Sequence, residues 1–403
     1  MTLVKNKALD KTISVGRIIH HVQGTSKGPT MVFFAGLHGN ETAGVFALEA
    51  TLKTLNPEII NGTIYGVSGN LKALEKNQRY LDVDLNRLWT KSQLEARHSH
   101  SELNSEEIER NDVFQVLQAI IASNSGPFYF IDFHTTSSKT FPFITINDAL
   151  INRKFSKLFP VPIVLGIEEY LNGPLLSYIN ELGYVSLGFE SGQHDEKEAV
   201  ENCVAFIHLS LVFTEMLSKE NSPQFLNHYQ NLQRNAHSIA KIFEVTYLHQ
   251  IKQGETFTME PGFKSFQPVK KGTLLAVCDG KKITSPVSAR LFMPLYQPKG
   301  AEGFFIIKPI QPFVLFLSAI LRRLKFDNLL AILPGISWLN SDKNGLKVNL
   351  GIARFYAKSI FHLLGYRNRQ INSKYLVLQN RERTSKTKSY KSEIWYKKSL
   401  IIR

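Results

Sequence analysis

Two cysteines among 403 residues leave no material for a disulfide framework. Cys203 and Cys278 lie in apolar flanks, NCVAF and AVCDG, that read as core packing, with a single bridge between them left open. So few cysteines fit a reducing compartment. The chain also lacks a long apolar run. Its opening residues, MTLVKNKALDKTISVG, hold no signal-peptide core, which makes a cytoplasmic location the expectation. The apolar stretch 313–339 is broken by Arg322, Arg323, Lys325 and Asp327. No window of about 18 apolar residues exists there to span a bilayer. Acids are scarce in one region alone. From Gln311 onward, 18 lysines and arginines face four acids, Asp327, Asp342, Glu382 and Glu393, which accounts for the whole net charge of +14. Residues 1–310 are charge-balanced and look like a self-contained soluble body. The basic character belongs to an appended extension.

What is present has the texture of an α/β protein. Apolar content of 43% and charged content of 20% are ordinary for a folded domain. MVFFAG (31–36), TIYGVSG (63–69), FYFIDF (128–133), VPIVLGI (161–167) and YVSLGFES (184–191) read as strands. Helical patterns over 41–55 and 195–217 alternate with them, which places an α/β domain over 1–220. Residues 91–112 are polar and read as an exposed loop or a solvated helix. A linking helix over 221–246 follows. Residues 247–310 show short β runs punctuated by glycine, the pattern of a small β domain. The basic extension, 311–403, reads as partly helical, and its last 20 residues, with Lys386, Lys388, Lys391, Lys397 and Lys398, as partly disordered.

Four segments carry residue types suited to hydrolytic chemistry. In AGLHGNE, His38 stands just past a strand and Glu41 opens a helix. A His-x-x-Glu across such a turn can bring an imidazole nitrogen and a carboxylate oxygen to one metal ion. His38 as a loop residue and Glu41 as a first-turn acid favoured by the helix dipole fit the same letters. Gly36 and Gly39 relieve the backbone at that turn. In FYFIDFHTTSS, Asp132 and His134 fall at the carboxyl end of a strand, the edge where sites gather in open α/β sheets. His134 would be a third ligand, and Asp132 would support this edge from behind; a plain polar strand end is the alternative. In NQRYLDVDLNRLW, Arg79, Asn86 and Arg87 suit forked recognition of a carboxylate or a developing oxyanion, with Asp82 and Asp84 holding the guanidiniums. A solvated salt-bridge cluster is the competing reading. In GYVSLGFESGQH, Glu190 would project from a strand end as a general base, or else cap the next helix. His194, nearby, is given no catalytic role.

Taken together, AGLHGNETAG, GNLKALEKNQRYLDVDLNRLW, DFHTTSS and GFESGQ resemble the succinylglutamate desuccinylase and aspartoacylase family, relatives of the zinc carboxypeptidases. The later SPVSARLFMPLY resembles the small C-terminal β domain of those enzymes. The resemblance implies a zinc-carboxypeptidase-like mixed sheet flanked by helices, followed by a small all-β domain, with the basic extension outside the match. It implies one zinc ion per chain on His38, Glu41 and His134. Arg79 would polarise the scissile carbonyl, Asn86 and Arg87 would hold the substrate α-carboxylate, and Glu190 would serve as general base and then general acid. The substrate would be a small N-acyl amino acid. One departure bears on the acyl group. Aspartoacylases carry a Tyr and an Arg shortly before the catalytic Glu, and the ungapped places here hold Leu176 and Asn180. Tyr178 fits only through a gap, and no arginine stands between Lys157 and Glu190, so a neutral or differently shaped acyl group is expected.

Two other readings share the scaffold. A carboxypeptidase-like peptidase would use the same zinc set, and a non-catalytic binding protein would have lost part of it. Nucleic-acid binding is not expected, because the basic extension contains no recognisable reader module. The stretch 313–339 reads foremost as a helix packed on the protein's own body with a solvated basic face. Peripheral contact with an acidic surface is the other reading.

Overall fold

Burial on both faces decides the centre of the molecule. In the strand Ser26–Ala35, residues 31–35 have no solvent exposure. Met31, Phe33 and Ala35 pack to one side, and Val32 and Phe34 to the other. The strand Phe128–Thr136 repeats the alternation, with Tyr129, Ile131 and Phe133 opposite Phe128 and Phe130. Strands apolar on both faces need helices on both sides of the sheet. The helices Ala43–Leu52 and Lys197–Phe213 cover the first face, and Ser105–Ser123 with Leu175–Glu181 cover the second.

The computed structural model describes residues 1–96, 103–341, 343–353, 358–370 and 374–397. Asp342 and Lys398, counted in the basic extension, lie outside them. Eleven strands form the main mixed sheet among the described residues. At its centre Ser26–Ala35 runs parallel to Asn61–Ser68 on one side and Phe128–Thr136 on the other. Val185–Gln193 continues parallel to Phe128–Thr136 and meets Phe143–Ile146 antiparallel. Both cysteines are buried and free.

The sequence sets a β domain at 247–310 apart, but most of its strand residues extend the main sheet. Ile242–Gln250 lies parallel to Ile163–Leu165 and antiparallel to Glu302–Pro309, with Ala289–Phe292 and Pro268–Val269 beyond. A separate three-stranded sheet contains Phe257–Met259, Leu274–Cys278 and Lys281–Thr284. The linking helix is Phe225–Asn235, shorter than 221–246 because Ile242 already starts a strand. This continuity carries residues 293–305 to the carboxyl edge of the parallel strands.

The basic extension has its own four-stranded antiparallel sheet around Leu346, Val348, Tyr366 and Leu378. Beyond it the chain returns to the main body. Trp395 and Tyr390 are fully buried, where disorder was expected, because each fills a hole at the starts of the parallel strands. The Trp395 indole donates to Tyr129 Oη at 2.8 Å, and Val185 N donates to Tyr390 Oη at 3.0 Å. Among the described residues, no helix is long and apolar enough to cross a membrane.

Candidate active site

The turn after Ser26–Ala35 depends on two glycines. Gly36 adopts a φ of +71°, and a Cβ there would stand 2.8 Å from Leu74 Cδ1. At Gly39 a Cβ would lie 2.1 Å from the Ala73 carbonyl carbon. The His38 loop can therefore press onto the helix Leu71–Lys76 only without side chains at these positions. On the neighbouring strands, the register pairs His134 with Glu190, so both side chains leave the sheet on the same side at its carboxyl edge.

His38, Glu41 and His134 converge there, with one donor atom from each lying within 4.8 Å of the others. His38 Nδ1 is 2.8 Å from Glu41 Oε1, and His134 Nδ1 is 2.9 Å from Glu41 Oε2. The opposite ring nitrogens are engaged by carboxylates: His38 Nε2 by Asp84 at 3.1 Å, and His134 Nε2 by Asp132 at 2.7 Å. Two imidazoles and one carboxylate, each ring oriented from behind by an acid, make up the donor chemistry of a catalytic zinc centre. The residues present thus fit a divalent ion. Burial pushes the Glu41 carboxyl up, but the adjoining imidazoles overcome that and hold it well below the usual carboxylate range. Burial lowers the His134 imidazole, and Asp132 and Glu41 reverse that, leaving it well above its ordinary value.

Arg79 is clamped between Glu41 Oε1 (3.3 Å) and Asp84 Oδ2 (3.2 Å). Its Nε is buried without a protein partner among the described residues. The loop that carries Arg79 and Asp84 is held from behind by Glu106, which is fully buried. One Glu106 oxygen accepts from Leu81 N at 2.7 Å and the other from Asp82 N at 3.0 Å. The sequence reads Glu106 as part of a polar, solvated stretch. The structure instead makes it an early residue of the helix Ser105–Ser123, whose capping box joins Asn104 and Glu107. An N-terminal acid in a capped helix was the available signal, and its burial was not visible.

His38, Glu41, Arg79, Asn86, Arg87, His134 and Glu190 all line one cleft. Burial pushes the Glu190 carboxyl up to about 8, with His134 and Arg79 pulling it back in part. Its Oε2 is buried and has no protein partner among the described residues. Asn86 Oδ1 accepts from Leu175 N at 2.9 Å, which fixes the start of the helix Leu175–Glu181. Arg87 donates to Glu302 at 2.9 Å. Glu302, Gln297, Met293 and Phe305 also line the cleft, although the sequence shows few catalytic groups in that β segment. Leu176 lines the cleft, whereas Tyr178 packs against Trp89 and Phe114 outside it. His194 bridges Thr135 Oγ1 (2.7 Å) and Gln297 (3.2 Å), a structural tie across the rim.

Residues 27–200 match the model of the succinylglutamate desuccinylase/aspartoacylase catalytic domain. A succinylglutamate desuccinylase from Photorhabdus laumondii is 31% identical over 121 residues, 30% of this chain and 36% of that protein. The match therefore spans little more than a third of the curated relative's length. Among solved structures, a succinylglutamate desuccinylase/aspartoacylase from Rhodobacter sphaeroides aligns with a TM-score of 0.56 at 16% identity, covering 77% of this chain and 94% of that one. An aspartoacylase family protein from Mesorhizobium loti gives 0.52 at 16% identity, covering 77% and 93%. At such identities the structural likeness is one of fold.

Proposed function

We propose, from the match of residues 27–200 to the succinylglutamate desuccinylase/aspartoacylase catalytic domain, that the chain is a zinc-dependent hydrolase of N-acyl amino acids. The observation that carries the reading is the convergence of His38, Glu41 and His134 beside an unpartnered Glu190 oxygen in one cleft. His38, His134 and Glu41 would hold a zinc ion, which would supply Lewis acidity toward a water and the amide carbonyl. Glu190 takes the proton of the attacking water and delivers it to the departing amide nitrogen, so that a carboxylate and a free amine leave. The unengaged N–H groups of Arg79, Nε among them, support the carbonyl oxygen as it gains negative charge. Arg87 and the Asn86 amide hold the substrate α-carboxylate, with Glu302 keeping the guanidinium in place.

The cleft also bears on the acyl group. Its arginines, Arg79 and Arg87, are taken up by the carbonyl oxygen and the α-carboxylate in this reading, and no lysine lines it among the described residues. Ile146, Leu171, Leu176, Met293 and Phe305 supply apolar lining. A dicarboxylic acyl chain would bring a second carboxylate with no cation left to receive it, so the acyl group is uncharged.

The test couples metal content to amine release from a panel of N-acyl amino acids with neutral and dicarboxylic acyl groups. We expect one zinc per chain and release from the neutral members. His38→Ala loses both, whereas Glu190→Gln keeps zinc and loses about 10²–10⁴-fold in turnover. Absence of zinc under replete conditions overturns the proposal. Preference for N-succinyl substrates overturns the acyl assignment alone, and cleavage of peptide C-termini in place of the panel moves the protein to the peptidases.

A further inference from the structure

The helix Pro312–Arg323 buries Ser318 and Arg322, with Leu315 and Leu321 partly packed beside them, and leaves a further apolar side outward. Ser318 and Arg322 face the protein. Ser318 donates to the Leu363 carbonyl at 2.6 Å, and Arg322 reaches Asp148 Oδ2 at 2.8 Å and the His362 carbonyl at 3.1 Å. On the opposite side Phe313, Phe316 and Ile320 recur at spacings of three and four residues and form one stripe, extended by Leu324. Phe326, Leu329 and Ile332 of the following 3₁₀ segment add to the exposed apolar surface. Exposure reaches 70% at Phe313, 64% at Phe316, 70% at Leu324 and 77% at Ile332. A surface helix ordinarily turns such residues inward. Here it cannot roll to hide them, because its inner face is fastened by the buried Arg322–Asp148 pair.

The charge around the stripe has one sign. Arg323 and Lys325 are exposed beside it. Asp327, the acid of this segment, is buried and bound by Arg383 at 2.8 Å and by the Tyr366 hydroxyl at 2.8 Å. From Gln311 onward cations outnumber acids by the full +14 of the chain. The sequence favours a packed helix with a solvated basic face. The structure instead leaves Phe313 and Phe316 outward, with Arg322 buried against Asp148.

We propose that this face docks on an anionic lipid surface. Phe313, Phe316, Ile320 and Leu324 enter the boundary between headgroups and acyl chains, and Arg323 and Lys325 meet the phosphates. The side chains of the stripe are 64–70% exposed at Phe313, Phe316 and Leu324, and so are free to insert among deformable lipids. A second copy would bring the same excess of positive charge against it. The contact is peripheral, since no helix among the described residues is long and apolar enough to cross a bilayer.

The experiment is flotation of the full chain with vesicles of phosphatidylcholine, with and without phosphatidylglycerol, alongside its mass by light scattering. The expected result is a monomer that floats with the anionic vesicles and is released as salt rises. The triple variant Phe313→Ser/Phe316→Ser/Leu324→Ser should lose about ten-fold or more of that binding. Its thermal midpoint and zinc content should stay unchanged, as the three side chains are solvent-exposed. Arg323→Gln/Lys325→Gln should weaken binding to the anionic vesicles specifically. Failure to float at low salt overturns the proposal, as does undiminished flotation of the triple variant. A dimer that the triple variant converts to monomer also overturns it, by assigning the stripe to a second copy.

Discussion

At the scale of single residues, the cleft depends on the acids behind the His38 and His134 rings as much as on the rings themselves. Asp84 reads in sequence as a guanidinium clamp, and the structure has it hold both Arg79 and the His38 ring. Asp132 fixes the His134 ring through Nε2, leaving Nδ1 for the centre. An amide at position 132 could accept the same hydrogen bond but would no longer raise the basicity of the imidazole. Asp132→Asn should therefore weaken zinc affinity about 10–100-fold with little change in fold, read by competition with a chromogenic chelator. Unchanged affinity would mean that the His134 ring is held by packing alone. The positions of His38, Glu41, His134 and Asp132 were legible because each lies at a strand end or in the turn that follows one, within a motif. Glu106 was not, since its partners are backbone N–H groups of a loop more than twenty positions earlier, brought to it only by folding.

At the scale of elements, the helices Lys197–Phe213 and Phe225–Asn235 stack His208 on His228, with ring centroids 4.6 Å apart. Burial drives the His208 imidazole down from 6.5 to about 4, and the neighbouring His228 adds to the drop. The unfolded chain takes up a proton at higher pH than the folded one, so stability is full above about 6.5 and is lost as pH falls through about 4. The loss attributable to His208 is on the order of 2–3 kcal/mol. Urea midpoints across that window should fall in the native chain and fall less in His208→Gln. Parallel pH profiles would show that the stacked pair does not titrate with folding. Element identity was otherwise well marked where apolar runs were long, as in Ser26–Ala35 and Val185–Gln193. Phe143–Ile146 was missed because four residues give too little pattern to separate strand from loop.

At the scale of the whole molecule, the basic extension is an appendage by charge but not by packing. Trp395 and Tyr390 close the end of the sheet opposite the cleft, against Tyr129 and Phe155. Trp395→Ala should cost about 3–5 kcal/mol, through lost burial and a residual cavity. Its urea midpoint should fall accordingly while zinc content at low denaturant stays intact. A midpoint equal to that of the native chain would show that the extension folds independently of the body.

His38, Glu41, Arg79, Asn86, Arg87, His134 and Glu190 could be picked out from sequence because chain position alone puts them at the ends of strongly patterned strands or in the segment between them. The sign and location of the charge were equally a matter of composition. Tertiary structure decided what depends on distant neighbours: Glu302 and Gln297 reaching the cleft, Glu106 turning inward, Trp395 becoming core. It also set the orientation of the Pro312–Arg323 helix, where periodicity marks an apolar stripe but not the side it takes. On its inner side Arg322 meets Asp148, a residue far away in sequence whose buried carboxylate also binds Arg153.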